Sequence, residues 1–161
     1  MLVRFGLHGL ERHSGDCALR DTVGAAEGKL RAIVDMPSEE QEPLKGLRVL
    51  VVEDQAPIAL QLEDMLVESE CHVVGPASRV GQALRLLSEN AVDAAVLDLN
   101  IAGELVYPVA DALDARGLPY IFATGYDPSD VSSRYGHRPV VQKPFSRRVF
   151  LEAFRATVRQ N

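Results

Sequence analysis

The feature that most constrains the fold of this chain is a regular alternation, from residue 47 onward, of short apolar runs with longer amphipathic stretches. The first run, residues 47–52, is dominated by Val and Leu, which is typical of a strand buried on both faces. Five such strands separated by helices predict a parallel sheet covered on both faces, a doubly wound α/β domain. The strands are predicted at residues 47–52, 72–75, 94–97, 120–123 and 139–142, and the helices at 57–70, 80–89, 105–116 and 146–160.

The first 45 residues have a different composition. They hold six basic and eight acidic residues, a short predicted helix near residues 25–34, and a run rich in Pro and Glu at residues 37–43. Such a segment can bury too little apolar surface to offset the entropy lost on ordering. We therefore expect an N-terminal extension over residues 1–45, flexible or partly helical, followed by one folded domain over residues 46–161.

Composition also argues against several classes of protein. With 17 basic and 23 acidic residues the formal charge is −6, whereas nucleic-acid binding requires a clustered basic excess. The two cysteines, Cys17 and Cys71, form neither a disulfide framework nor a CxxC motif. No apolar run reaches the length of about 18 residues that a membrane span needs, and no signal-peptide core is present. We expect a cytoplasmic protein that binds neither nucleic acid nor membrane.

The polar residues that follow the predicted strands indicate the chemistry. In a doubly wound sheet the ligand site lies beyond the carboxyl ends of the strands, where this sequence has Glu53, Asp54, Asp98, Thr124 and Lys143. Three neighbouring carboxylates repel one another unless a cation neutralises them, and such oxygen ligands suit Mg²⁺. A metal, an ammonium group and a hydroxyl are the groups that phosphoryl transfer requires. With no cysteine, Ser–His pair or histidine cluster nearby, the available nucleophile is a carboxylate, which would form an acyl phosphate.

At these positions the sequence resembles the receiver domain of bacterial two-component response regulators. The resemblance covers residues 47–160 and implies the strand order 2-1-3-4-5 of flavodoxin-like folds. The string Phe-Ala-Thr-Gly-Tyr resembles the receiver subgroup named after that motif, which is often paired with sensor histidine kinases of the HWE or HisKA_2 type. The matching motifs are Val-Leu-Val-Val-Glu53-Asp54, Val-Leu-Asp98-Leu-Asn100, Phe122-Ala-Thr124-Gly-Tyr126 and Gln-Lys143-Pro144-Phe145.

The resemblance implies a role for each matching residue. Asp98 would be the phosphoacceptor, Thr124 would donate a hydrogen bond to the phosphoryl group, and Lys143 would pair with one of its oxygens. Gly125 would leave space for the phosphoryl group, while Asn100 and Tyr126 would flank the path of the hydrolytic water. The implied Mg²⁺ ligands are Asp54, Asp98, the backbone carbonyl of Asn100, and Glu53 acting directly or through water.

The sequence also departs from the family pattern. Ile101-Ala102 replaces the usual Met-Pro pair, and Val140 stands where the family has its aromatic switch residue, with Tyr126 or Tyr135 as possible substitutes. Only 18 residues separate Thr124 from Lys143, so we expect the fourth receiver helix to be short, irregular or missing. The Lys143–Pro144 bond resembles the family's cis peptide. In the last helix the predicted apolar stripe comprises Val149, Phe150, Ala153, Phe154 and Val158.

These features predict a stand-alone receiver rather than an enzyme. It would take a phosphoryl group from a sensor histidine kinase or a phosphotransfer protein, and would then signal by protein contact or act as a phosphate sink. Two alternatives stay open. One is a degenerate receiver that binds a partner without phosphorylation, and the other is a phosphatase of the haloacid dehalogenase type, although that family requires an Asp-x-Asp motif after its first strand.

Overall fold

The computed structural model describes residues 44–160, which form a five-stranded parallel sheet with helices on both faces. The sheet order is β2-β1-β3-β6-β7, which confirms the predicted fold and strand order. Of the predicted N-terminal extension, residues 1–43 and the helix near 25–34 lie outside the described residues. The strands of the sheet are β1 (Arg48–Val52), β2 (His72–Ala77), β3 (Ala94–Leu97), β6 (Tyr120–Thr124) and β7 (Val140–Gln142). Two further short strands, β4 (Asn100–Ile101) and β5 (Glu104–Leu105), form a hairpin. The helices are α1 (Ala56–Val67), α2 (Val80–Glu89), α3 (Tyr107–Ala115) and α4 (Arg147–Arg159).

Two hydrophobic clusters, one on each face of the sheet, form the core. Successive residues of β1 alternate between them: Leu50 packs with residues of α2 and α3, whereas Val51 packs with residues of α1 and α4. Because both faces are covered, β3 and β6 are buried at every position. This arrangement explains the continuous apolar runs of the sequence. None of the helices within residues 44–160 is both long and apolar enough to span a membrane.

A short hairpin replaces the beginning of the predicted helix 105–116. Strands β4 and β5 are joined by Ala102 and Gly103, which have φ angles of 52° and 90°. Positive φ at both central residues is the requirement of a type I′ turn. The helix that follows, α3, begins at Tyr107, and Pro108 lies in its first turn, where its missing N–H is tolerated.

The predicted stripe of α4 is wrong at one position. Val149 is 47% exposed, whereas Leu151 is buried against the same face as Phe150 and Phe154. The buried positions 150, 151, 154 and 157 follow helical spacing, and Ala153 and Val158 pack against the same cluster as predicted, so Leu151 takes the place expected for Val149.

The segment between β6 and β7 contains two single 3₁₀ turns, Pro128–Asp130 and Ser133–Tyr135, in place of a helix. This confirms the expected irregularity. Side chains of α3 hold the segment: the Tyr107 ring stacks on the Tyr135 ring at 4.7 Å, and the Tyr107 hydroxyl accepts from the Ser132 N–H at 2.9 Å. The Tyr135 hydroxyl donates to Asp111, and burial together with this carboxylate raises the pKa of Tyr135 to about 12.

Leu44, which lies ahead of β1, is part of the hydrophobic core. Leu44 is fully buried in the cluster beneath α1 and α4, and its carbonyl accepts from the Cys71 thiol at 3.2 Å. Burial also raises the pKa of Cys71 to about 11. The chain therefore enters the domain through a packed position.

We expect Leu44→Ala to lower the free energy of unfolding by about 2–5 kcal/mol, because it leaves a cavity in the core. Val67→Ala is the matched control, since Val67 is 59% exposed and its truncation is expected to change stability by less than about 1 kcal/mol. Urea unfolding of the full chain measures both values. Equal losses in the two variants would contradict the packed role of Leu44.

The raised pKa of Tyr135 predicts a pH dependence of stability. The unfolded chain releases this proton near the ordinary tyrosine pKa of 10, whereas the folded domain retains it up to about 12. Stability contributed by Tyr135 is therefore complete below pH 10 and is lost as the pH rises toward 12. Urea unfolding between these limits should show a steeper decline for the wild type than for Tyr135→Phe. Parallel curves would show that Tyr135 does not contribute.

Candidate functional site

Regular hydrogen bonding at the carboxyl edge of the sheet positions the polar residues that follow the strands. The Glu53 N–H donates to the Ala77 carbonyl at 2.9 Å, and the Asp98 N–H donates to the Val52 carbonyl at 2.9 Å. On the other side of the sheet, the Lys143 N–H donates to the Thr124 carbonyl at 2.8 Å. Each of these residues thus continues the parallel hydrogen-bond pattern for one position beyond its strand. The backbone hydrogen bonds of the sheet therefore fix the positions from which these side chains extend.

Three carboxylates meet at this edge. One oxygen from each of Glu53, Asp54 and Asp98 lies within 4.8 Å of the other two. Glu53 and Asp98 are only 2% and 5% exposed, whereas Asp54 is open to solvent. Burial raises the pKa of Glu53, and the hydrogen bond from Lys143 opposes that rise. Such a group of hard oxygen ligands suits a small divalent cation such as Mg²⁺.

The ammonium group of Lys143 lies between the two buried carboxylates. Its Nζ donates to Asp98 Oδ2 at 2.9 Å and also to Glu53 Oε2. Backbone N–H groups donate to the other oxygens of these carboxylates: the Leu99 N–H donates to Asp98 Oδ1 at 2.6 Å, and the Gln55 N–H donates to Glu53 Oε1 at 3.1 Å. Every oxygen of the two buried acids therefore has a donor, as buried charge requires. The Lys143–Pro144 peptide bond is cis, as the resemblance implied.

Asn100 and Tyr126 meet at the rim of the site. The Asn100 side chain donates from Nδ2 to the Tyr126 hydroxyl at 3.2 Å, while its Oδ1 accepts from the Gly103 N–H at 2.8 Å. The Tyr126 N–H in turn donates to the Thr124 hydroxyl at 3.3 Å. A chain of hydrogen bonds thus runs from the β4–β5 hairpin to the buried threonine.

The hairpin also contacts the acidic group directly. The Ala102 N–H donates to Asp54 Oδ2 at 3.1 Å. Asp54 is the exposed member of the three acids, and this hydrogen bond restricts the positions that its carboxylate can occupy. The β4–β5 turn therefore helps to position a predicted metal ligand.

A cavity of about 570 Å³ opens over these groups. Asp54, Asp98, Asn100, Gly125, Tyr126 and Lys143 line it, so it brings together most of the residues predicted from the sequence. A Cβ atom at Gly125 would meet no atom beyond the neighbouring residues within 4 Å, so this wall borders open space. The sequence did not predict that the other lining residues border this cavity. These residues are Gln55, Ile58 and Gln61, from α1 and the segment before it, together with Pro144 and Phe145. For the first three, the available signal was their helical spacing directly after Glu53 and Asp54.

Comparison with known proteins identifies similar domains. The family model described as a response regulator receiver domain matches residues 49–155. No curated protein sequence matches. The solution structure of SdrG from Sphingomonas melonis is 41% identical over 70% of this chain and 96% of that chain, with a TM-score of 0.64. Its BeF3-activated conformation, attributed to Pseudomonas melonis, is 41% identical over 70% and 98% of the two chains (TM-score 0.62). The receiver domain of PhyR from Erythrobacter litoralis is 25% identical, and the match covers 73% of this chain and 90% of that chain with a TM-score of 0.61.

Removing the Lys143 ammonium should destabilise the folded domain, because Glu53 and Asp98 then repel each other without a cation between them. In metal-free buffer we expect Lys143→Met to lower the free energy of unfolding by about 3 kcal/mol, because two buried carboxylates lose their common cation. Lys45→Met is the matched control: Lys45 pairs with Glu70 at 2.9 Å on the surface, and its loss should cost less than about 1 kcal/mol. Urea unfolding measures both, and a loss of similar size in the two variants would be inconsistent with this account.

Proposed function

The chain belongs to the response regulator receiver domain family of two-component signalling, and we propose that it accepts a phosphoryl group on Asp98 in a Mg²⁺-dependent reaction. The donor would be a sensor histidine kinase or a phosphotransfer protein. The observation that carries the proposal is the meeting of Asp98 with two further carboxylates and the Lys143 ammonium on the wall of one open cavity. Those are the charged groups that phosphoryl transfer requires.

Asp98 is the nucleophile in this proposal. One of its carboxylate oxygens attacks the phosphorus of the donor's phosphohistidine, forming an O–P bond as the N–P bond breaks. The electron pair of that N–P bond stays with the departing imidazole, and the product on Asp98 is an acyl phosphate. The backbone hydrogen bond from Leu99 to Asp98 Oδ1 supports this role, because it fixes the orientation of the carboxylate toward the cavity.

The neighbouring residues supply charge and hydrogen bonds. Glu53, Asp54, Asp98 and the Asn100 carbonyl would hold Mg²⁺, which when bound neutralises charge on the phosphoryl oxygens. Lys143 would exchange its contact with Asp98 for one with a phosphoryl oxygen. The Thr124 hydroxyl accepts a hydrogen bond from the Tyr126 N–H, so its own proton can be donated to the phosphoryl group. The open space beside Gly125 would accommodate that group.

The proposed output is a protein contact or the removal of phosphoryl groups from a kinase, without steady turnover of an external substrate. Phosphorylation would add negative charge beside Lys143 and Tyr126, at the ends of β7 and β6, and so bias the loops that follow these strands. The Phe-Ala-Thr-Gly-Tyr string supports a kinase of the HWE or HisKA_2 type as the donor. The alternative of a haloacid dehalogenase-like phosphatase is not supported, because the family match is to receivers.

Incubation with acetyl phosphate tests the proposal. We expect the intact mass of the full chain to rise by one phosphoryl group when Mg²⁺ is present, and not to rise in EDTA or in Asp98→Asn. Asp64→Asn is the matched control, since it makes the same change at an exposed position of α1 and should leave labelling unaltered.

The result also separates the proposal from a degenerate receiver. If wild type gains no mass, beryllofluoride binding followed by amide NMR distinguishes rapid hydrolysis from an inactive site. Spectral changes at Asp98, Thr124 and Lys143 would support the proposal. Absence of both labelling and beryllofluoride binding would refute it in favour of the degenerate receiver.

A further inference from the structure

The side chain of Asn100 connects two loops that border the acidic cavity. Its Oδ1 accepts from the Gly103 N–H at 2.8 Å, in the turn of the β4–β5 hairpin, and its Nδ2 donates to the Tyr126 hydroxyl at 3.2 Å, in the loop after β6. Both ends of the amide group therefore have a partner. The metal-ligand role proposed for Asn100 involves only its backbone carbonyl, so this side-chain bridge needs a separate explanation.

The bridge stabilises the part of the hairpin that the core does not hold. Ile101 and Val106, at the base of the hairpin, are buried in the hydrophobic cluster that includes residues of α2 and α3. The turn residues Ala102 and Gly103 are exposed, and Ala102 has a φ angle of 52°, which is unfavourable for a residue with a Cβ atom. The hydrogen bond from Gly103 to Asn100 therefore supports a turn conformation that Ala102 by itself disfavours.

The same turn holds one of the three clustered carboxylates. The Ala102 N–H donates to Asp54 Oδ2 at 3.1 Å. Glu53 and Asp98 are buried and receive hydrogen bonds from Lys143, whereas Asp54 is exposed. The position of the Asp54 carboxylate therefore depends on the turn. A carboxylate offers about four lone pairs, so one N–H donor leaves most of its capacity available to a cation.

We propose that Asn100 is a positioning residue for Mg²⁺. Its side chain holds the β4–β5 turn, and the Ala102 N–H of that turn holds the Asp54 carboxylate where it can bind the ion together with the other two acids. This inference rests on the Mg²⁺ site of the proposed function and goes beyond it, because it assigns part of the affinity for the ion to the Asn100 side chain. An exposed carboxylate that is already oriented loses less side-chain freedom when it binds.

Titration of the metal-free full chain with Mg²⁺, followed by amide NMR, tests the role of Asn100. We expect the dissociation constant for Mg²⁺ to rise about tenfold in Asn100→Ala, the effect typical of losing a group that orients a metal ligand. Asn90→Ala is the matched control. It makes the same change at an exposed residue whose side chain donates to the Leu86 carbonyl at 2.9 Å at the end of α2, and it should bind Mg²⁺ like wild type.

Substitutions of Ala102 test the path from Asn100 to Asp54. Ala102→Pro removes the N–H that donates to Asp54 and should weaken Mg²⁺ binding by a similar factor. Ala102→Gly keeps the N–H and adopts a positive φ freely, so it should bind Mg²⁺ as tightly as wild type. Because both losses act on one hydrogen bond, Asn100→Ala/Ala102→Pro should weaken binding about tenfold, not a hundredfold.

Binding by wild type separates this role from the proposed function itself. If wild type shows no saturable Mg²⁺ binding, the Mg²⁺ dependence of the proposed function and the role of Asn100 are both refuted. If wild type binds Mg²⁺ and Asn100→Ala binds it within twofold as tightly, only the role of Asn100 is overturned. Losses that multiply in the double variant also overturn it, because Asn100 would then act independently of the turn.

Discussion

The ion-paired contact of the Lys143 ammonium with Glu53 and Asp98 is the interaction on which the site depends. Two buried carboxylates on neighbouring strands would repel each other, and the lysine from a third strand lies between them at hydrogen-bond distance. Because the three residues directly follow β1, β3 and β7, the pairing requires β1, β3, β6 and β7 to be in register. Fold and chemistry are thus linked at this contact: the sheet brings the charges together, and the charges favour the correct alignment of the strand ends.

The rim of the site is more exposed to solvent than this buried centre. Asp54 and Tyr126 face solvent, and hydrogen bonds from the β4–β5 hairpin restrain both regions, through the Ala102 N–H and through Asn100. Ile58 and Phe145 add apolar wall to the same cavity. A partner that enters would therefore meet apolar and exposed polar groups first and the buried charges last. Recognition and charge stabilisation can in this way be provided by different residues.

The sequence predicted the sheet from its alternating strands and helices, and the meeting of the acids with Lys143 from the residues at strand ends, whereas the strand order was implied by the resemblance to receiver domains. It did not predict the β4–β5 hairpin, since Ala102 is an unfavourable residue for a positive φ and Gly103 was the only local signal. It also did not predict that Leu151 rather than Val149 is buried. Both fit a helical stripe, and the choice depends on how Phe150 and Phe154 pack against the sheet. Contacts between distant loops, such as Asn100 with Tyr126, have no local sequence signal.

The two 3₁₀ turns between β6 and β7 have a consequence for how a change at Thr124 could spread. A full helix is stabilised by a continuous series of backbone hydrogen bonds and can shift as a rigid body, whereas the hydrogen bonds inside this segment join residues of single turns, and the segment is also held by Tyr107 and Asp111 of α3. Any displacement of the segment must therefore break or rearrange contacts with α3. In this chain the segment that follows Thr124 packs on the third helix, so a displacement of that segment would be transmitted to the α3 side of the domain.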